Sequence, residues 1–108
     1  METLRYCKTR NVKDPVRAHS TDAGIDFYVP LDIDVDTFIE KCNTTNCSLD
    51  YSLTDDYCIK AIYLKPGQSI LIPSGIHVKI PNGYAMIYMN KSGIASKRHL
   101  LVGACVVD

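Results

Sequence analysis

Three consecutive residues in the last fifth of the sequence combine groups that bind an anion. Lys91 supplies a cation, Ser92 supplies a small hydroxyl, and Gly93 lets a ligand approach the backbone closely. Successive backbone N–H groups in such a turn can converge on phosphate oxygens. Taken alone, Lys-Ser-Gly is more often a plain solvated turn. The tripeptide therefore indicates a phosphate contact only when other residues join it.

Three aspartates in or beside turns offer carboxylate chemistry. Asp22 and Asp26 are separated by Ala-Gly-Ile, and paired carboxylates in a glycine turn suit Mg²⁺, which prefers hard oxygen ligands and keeps several waters. The alternative is a turn in which aspartate caps its own backbone. Asp108 follows an apolar run, where a carboxylate can serve as a general base. Its alternative is an ordinary turn residue.

Histidines and cysteines give weaker signals. His99 follows two cations and could approach a phosphate, but it is isolated from the other histidines. Cys42, Cys47 and Cys58 lack a nearby fourth ligand, which zinc would require. The N-terminus shows no secretory leader, so we expect the cysteines to be free thiols.

Length and composition limit the functional classes. The 108 residues suffice for one small domain, and 46% hydrophobic with 22% charged residues is typical of a globular protein. The 12 basic and 12 acidic residues cancel, so we expect neither a nucleic acid nor a membrane as partner. The expected location is the cytoplasm, with the nucleus as the alternative in a eukaryote and the host cytoplasm for a viral protein.

Short apolar runs between turn residues predict the elements that position these side chains. The predicted strands are residues 4–7, 25–30, 59–64, 69–73, 76–80, 84–89 and 100–107. Short helical turns are predicted at residues 92–97 and, capped by Asp36, at residues 37–41. Many short strands without a long helical period predict an all-β sandwich or barrel.

The segment 31–58 is the least regular part of the chain. Leu31, Ile33 and Val35 alternate with aspartates, which indicates a strand with one acidic face or a solvated edge. Residues 43–56 are polar and are predicted to form an exposed loop. We therefore interpret the chain as one domain, residues 1–108, with an insertion at about residues 31–58.

Four segments occur in an order that resembles the first three motifs of the trimeric dUTP diphosphatases (dUTPases). They are DAGIDF (Asp22–Phe27), PSGIHVKIPNGYA (Pro73–Ala85), NKSGIASK (Asn90–Lys97) and VGACVVD (Val102–Asp108). The resemblance covers residues 18–30 and 59–108. It implies a dUTPase-like β-barrel or jelly roll, Mg²⁺-dependent hydrolysis of dUTP to dUMP and diphosphate, and a homotrimer when the chain is complete.

The resemblance also implies roles for individual residues. Asp26 would contact the metal through water, while Ser92 and Gly93 would contact the phosphates. The backbone of Gly103 would help to read uracil. Asp108 would orient the water that attacks the α-phosphorus and would contact the deoxyribose 3′-hydroxyl.

The sequence departs from the family pattern at several positions. Lys91, a substrate-binding candidate, stands where arginine is usual. Lysine keeps the positive charge but lacks the guanidinium group, which can form two hydrogen bonds to one phosphate. Asn90 replaces the usual proline, and Cys105 replaces a common glycine. In the family, the third motif continues past its aspartate to a tyrosine, so we expect a domain that is incomplete at its C-terminus and inactive as the 108-residue chain alone. Viral and phage members of the family vary by insertions such as the one at residues 31–58, so the resemblance includes a viral source among the expectations.

Two other functions stay open. The dCTP deaminases share the fold but use a glutamate base, against which Asp108 argues. The second is a non-catalytic nucleotide-binding or regulatory module.

Overall fold

The computed structural model describes residues 3–36 and 50–103, and the backbone of residues 106–107. The strands are β1 (Arg5–Lys8), β2 (Asp50–Leu53), β3 (Ile59–Tyr63), β4 (Ile76–Lys79), β5 (Met86–Ile87) and β6 (Val106–Val107), and helix α1 is Ser92–Arg98. The prediction of an all-β fold is confirmed, since α1 is the one helix that lies wholly within the described residues. Strands β1 and β4, β2 and β3, and β5 and β6 form two-stranded sheets. Closure into a barrel stays a prediction.

The chain divides into two compact units, which are described separately below. The N-terminal unit is Cys7–His77, and the C-terminal unit is Met1–Tyr6 with Val78–Asp108. The prediction of a single domain with an insertion at residues 31–58 stays a prediction.

The core of the N-terminal unit forms around Ile33, which is 4% exposed. Its backbone C=O accepts a hydrogen bond from the N–H of Ile59 at 2.7 Å, and Asp34 forms an antiparallel bridge with Cys58. The partly buried residues that pack on Ile33 are Ile59, Ile62, Leu64, Ile70 and Ile72. The alternation of residues 31–35 therefore buries the isoleucine and leaves Asp34 exposed.

The predicted loop at residues 43–56 is wrong over residues 50–53, because β2 pairs antiparallel with β3. Tyr51 lies opposite Ile62, and Asp50 lies opposite Tyr63. Asp50-Tyr51-Ser52-Leu53 alternates polar with apolar residues, a strand signal that the polar composition of the longer segment obscured. The predicted helical turn at residues 37–41 lies outside the described residues.

Two further predicted strands are absent from the described part of the chain. Within residues 25–30, Asp26 forms an isolated bridge with Val16 and not a strand. Residues 69–73 have no strand pairing either, although Ile70 and Ile72 contribute to the core. The apolar pattern predicted the burial of Ile70 and Ile72 correctly, whereas Ile25 and Val29 are exposed. It could not show that these segments lack a ladder of hydrogen-bonding partners.

Gly75 lies close to the side chains of Arg10, Val12 and Pro30 in the N-terminal unit. Its φ is +70°, and its C=O accepts a hydrogen bond from the N–H of Thr9 at 2.8 Å. A Cβ at this position would lie 3.1 Å from Arg10 Cβ, 3.1 Å from Pro30 Cγ and 3.2 Å from Val12 Cγ1. Both the backbone conformation and the available space therefore favour glycine.

In the C-terminal unit, β5 and β6 are shorter than the predicted strands 84–89 and 100–107. Tyr84 still belongs to a turn, because its N–H donates to the C=O of Pro81 at 3.1 Å. Strands β5 and β6 pair antiparallel, with Met86 opposite Val107 and Ile87 opposite Val106. The segment between them contains α1, at the position of the predicted helical turn.

Candidate functional site

The Lys-Ser-Gly turn forms the start of α1. Lys91 is the N-cap residue, with φ −79° and ψ 121°, and Ser92 begins the helix. The first helical hydrogen bond runs from the N–H of Ala95 to the C=O of Lys91 at 2.8 Å. The N–H groups of Ser92 and Gly93 precede that bond and thus lack acceptors within the helix. Both residues are exposed, so these donors are available to a ligand.

Lysine at the N-cap shapes the chemistry of this turn. A lysine side chain has no acceptor and cannot cap a helix, and Lys91 makes no side-chain capping bond. Lys91 directly precedes Ser92 and Gly93 in the chain. A cation, a hydroxyl and adjacent N–H groups together match the oxygens of a phosphate.

The basic residues that follow the Lys-Ser-Gly turn in the sequence lie at the C-terminal end of α1. Lys97 and Arg98 occupy the last turn, where positive charge stabilises the C-terminal end of a helix. His99 ends the helix with φ 56°, and its N–H donates to the C=O of Ala95 at 3.2 Å. The seven residues of α1 separate His99 from the turn at Ser92 by about 10 Å along the axis. The structure therefore assigns His99 to the cap of the helix.

A side-chain hydrogen bond links the Lys-Ser-Gly turn to the segment of Gly103. The Oδ1 atom of Asn90 accepts a hydrogen bond from the backbone N–H of Val102 at 2.8 Å. Asn90 directly precedes Lys91, and Val102 directly precedes Gly103. Two segments with predicted roles are thus adjacent within the C-terminal unit. Sequence reasoning missed this bond, because Asn90 stood out only as a departure from the family pattern.

The two glycines of the candidate site lie in open space. A Cβ added to Gly93 or to Gly103 would meet no atom within 4 Å. Packing within the described structure therefore does not require glycine at either position. The open space beside their backbone is what a bound nucleotide would need.

The aspartates of the first motif have different environments in the N-terminal unit. Asp22 caps a turn: its Oδ2 accepts from the N–H of His19 at 3.0 Å, and its own N–H donates to the C=O of His19 at 3.0 Å. Asp26 is partly buried, and its backbone exchanges hydrogen bonds of 2.7 and 3.1 Å with Val16. The structure thus uses Asp22 as the turn cap, and the metal contact of Asp26 stays a prediction.

No group of three or more His, Cys, Asp or Glu residues that could hold a metal occurs in the part of the chain that the structure describes. A single carboxylate such as Asp26 fits Mg²⁺ that is carried largely by phosphate oxygens and its own waters. Cys7 and Cys58, the described cysteines, are free thiols as predicted.

Asp108 lies outside the described residues, and so does Cys105. Strand β6 ends at Val107, the residue before Asp108. The role of Asp108 stays a prediction from the sequence.

None of the helices in the described ranges is long and apolar enough to cross a membrane.

Comparisons with known proteins find several relatives that share one name. Over 99 residues the chain is 29% identical to a deoxyuridine 5′-triphosphate nucleotidohydrolase of Mycolicibacterium vanbaalenii, covering 92% of this chain and 43% of that protein. Over 41 residues it is 49% identical to the protein of the same name from Chlamydia trachomatis serovar D, covering 38% of this chain and 28% of that protein. A relative of this name from Leifsonia xyli is 35% identical over 48 residues, covering 44% of this chain and 32% of its own length.

These similarities support a relationship to the dUTPase family. The chain spans less than half the length of each of these relatives. No family model matches the chain. No solved structure matches it.

Proposed function

We propose that this chain provides part of an enzyme that hydrolyses dUTP to dUMP and diphosphate. The observation that carries the proposal is the link between the Lys91–Gly93 turn and Gly103 by the Asn90–Val102 hydrogen bond. This bond brings the Lys91–Gly93 turn close to Gly103, which supports a site where the turn would contact phosphates and the Gly103 backbone would read a base. Relatives named for deoxyuridine triphosphate hydrolysis match over 92% of the chain, which supports uracil as the base.

The phosphate end of the site positions the substrate. Ser92 and Gly93 would donate hydrogen bonds to phosphate oxygens, and Lys91 would offset part of the triphosphate charge. Cleavage of a phosphoanhydride needs positioning and charge neutralisation more than covalent help from the protein. Because α1 is only seven residues long, we assign the binding to these local groups and not to a helix dipole.

The hydrolytic end of the site depends on Asp108. Its carboxylate would accept a hydrogen bond from water and orient that water toward the α-phosphorus, with the 3′-hydroxyl of the deoxyribose as a second contact. The new P–O bond forms as the bond to the β-phosphate bridge breaks. Diphosphate leaves, dUMP remains, and one proton passes from the water to the carboxylate and then to solvent.

Magnesium is the expected cofactor, and Asp26 would hold it through a water molecule. When bound, the metal neutralises charge on the triphosphate. On the family resemblance we further propose a homotrimer in the complete protein. We also propose a cytoplasmic location.

The proposal is tested by supplying the complete enzyme of which this chain would be part (the native protein in the tests below) with dUTP, dCTP and dTTP in the presence of Mg²⁺; the 108-residue chain alone should release no diphosphate. We expect diphosphate and dUMP from dUTP, detected by ³¹P NMR, with much slower cleavage of the other two. Ammonia release from dCTP would instead support the deaminase alternative. Binding of dUTP without turnover would support the non-catalytic module, and either result would contradict the proposal.

Substituting Lys91→Arg should tighten triphosphate binding. A guanidinium can form two parallel hydrogen bonds with a phosphate, where the lysine ammonium acts as a point charge. We expect the Kd for non-hydrolysable α,β-imido-dUTP to fall about three- to tenfold, as one added charge-assisted hydrogen bond would produce. Isothermal titration calorimetry measures the change.

The matched control for that substitution is Lys97→Arg, an exposed position in the last turn of the same helix. It should leave the Kd within about twofold, since a surface charge kept at the same site adds no phosphate contact. Equal tightening by both variants would show a general effect of arginine and contradict the role of Lys91.

A further inference from the structure

We propose that Asn90 is a positioning residue that holds the phosphate-binding turn and the base-reading segment at a fixed separation. The inference rests on the proposed function and adds a residue to it. In this role Asn90 couples the binding of the triphosphate to the binding of the nucleoside. A nucleotide that contains both parts then binds more tightly than it would if the two subsites moved independently.

The first support is the place of the bond in the strand pairing. Strands β5 and β6 pair with Met86 opposite Val107 and Ile87 opposite Val106. Continued in the same register, that pairing would bring residue 90 opposite residue 103. The Asn90–Val102 bond lies one residue from this position, so it extends the contact between the two segments beyond the last paired strand residues.

The second support is what the bond encloses. The segment between Asn90 and Val102 includes all of α1, which begins at Ser92. The bond therefore closes a loop that consists of residues 91–101. Lys91 is the first residue of this loop, and Leu101 is the last. Separation of Asn90 from Val102, the residues that adjoin the turn and Gly103, therefore has to stretch or break a 2.8 Å hydrogen bond.

The third support is the chemistry of the side chain. The donor is a backbone N–H, so the Asn90 amide must present its oxygen to Val102. This leaves the amide NH₂ directed elsewhere. The site is exposed, and one hydrogen bond in such a setting contributes modestly. We therefore expect an effect on the coupling of the two ends and not the loss of the fold.

The consequence for binding can be measured with the parts of the nucleotide. Inorganic triphosphate reports the Lys91–Gly93 turn, deoxyuridine reports the Gly103 segment, and α,β-imido-dUTP needs both at once. The product of the two fragment Kd values divided by the Kd of the whole molecule is an effective concentration. This linkage ratio depends on how well the two subsites are held relative to each other.

The experiment determines the linkage ratio by NMR titration of the native protein and of Asn90→Ala. We expect the ratio to fall about three- to tenfold in the variant, corresponding to one hydrogen bond, with each fragment Kd changed less than twofold. In the ligand-free protein, the Val102 amide should exchange with solvent several-fold faster in Asn90→Ala, because its acceptor is gone.

Two further variants keep the test specific. Asn90→Asp retains an acceptor for Val102, and its added charge alters the Kd values of triphosphate and of the whole nucleotide alike, so the ratio should stay near that of the native protein. Asn82→Ala removes an exposed asparagine from a turn of the same unit and should leave both the ratio and Val102 exchange unchanged.

The outcomes separate the inference from the function on which it rests. An unchanged ratio in Asn90→Ala, or an equal loss of affinity for both fragments, would overturn the positioning role while leaving dUTP binding intact. A native protein that binds neither the fragments nor the nucleotide would overturn the proposed function and the coupling with it.

Discussion

Asp108→Asn is expected to lower kcat for dUTP hydrolysis by about 10²- to 10⁴-fold, the range associated with loss of a positioned acid–base group. Asparagine keeps the size of the side chain but is not a base and cannot accept a proton from the attacking water. Nucleotide binding should change little, because the phosphate contacts are assigned to Ser92 and Gly93. Single-turnover hydrolysis and the Kd of α,β-imido-dUTP measure the two quantities separately.

Asp22→Asn is the matched control for that prediction. Asp22 Oδ2 accepts a hydrogen bond from the N–H of His19, and an asparagine oxygen can accept the same bond. We expect kcat to remain within about twofold, since this carboxylate serves the turn and not the water. Turnover in Asp108→Asn above about a tenth of the native rate would refute the assigned role of Asp108.

Gly75→Ala is expected to destabilise the protein by about 2–5 kcal/mol. Two costs combine: the left-handed φ of +70° costs an alanine about 1–2 kcal/mol. The added Cβ would also lie 3.1 to 3.2 Å from three side-chain atoms of a packed region. Overpacking of this kind costs about 1–3 kcal/mol. Urea unfolding gives the free energy of unfolding of the native protein and the variant.

Two glycines of the same unit separate these costs. Gly67 has a φ of +84° but no atom within 4 Å of an added Cβ, so Gly67→Ala should show the backbone cost alone, about 1–2 kcal/mol. Gly24 has neither constraint, so Gly24→Ala should be close to neutral. If Gly75→Ala costs no more than Gly67→Ala, the close packing around Gly75 does not limit stability.

Local patterns predicted several elements well. Arg5–Lys8, Ile59–Tyr63 and Ile76–Lys79 form strands close to the predicted residues, because alternating side chains within one short run already define a face to bury. The helical turn after Lys91 was also predicted, since it follows from residues adjacent in the chain. Such signals depend on near neighbours and can be read from the sequence.

The same patterns failed where a segment needed a distant partner. Ile70 and Ile72 are apolar as a strand would be, and they do pack on the core, yet no ladder forms along their segment. The composition around residues 50–53 predicted a polar loop, but these residues form a strand because they pair with β3. Burial is a property of the side chain, whereas a strand also requires a second backbone at hydrogen-bonding distance.

By itself, the sequence determined the strand-rich class and the order of the four motif segments, because both depend on residue types and spacing along the chain. It also singled out the Lys-Ser-Gly turn as a candidate phosphate contact. Only the tertiary structure decided that Asp22 caps a turn and that Asn90 binds Val102 beside Gly103. The Asn90–Val102 bond joins atoms 12 residues apart, and which groups meet over such a separation depends on how the intervening chain folds.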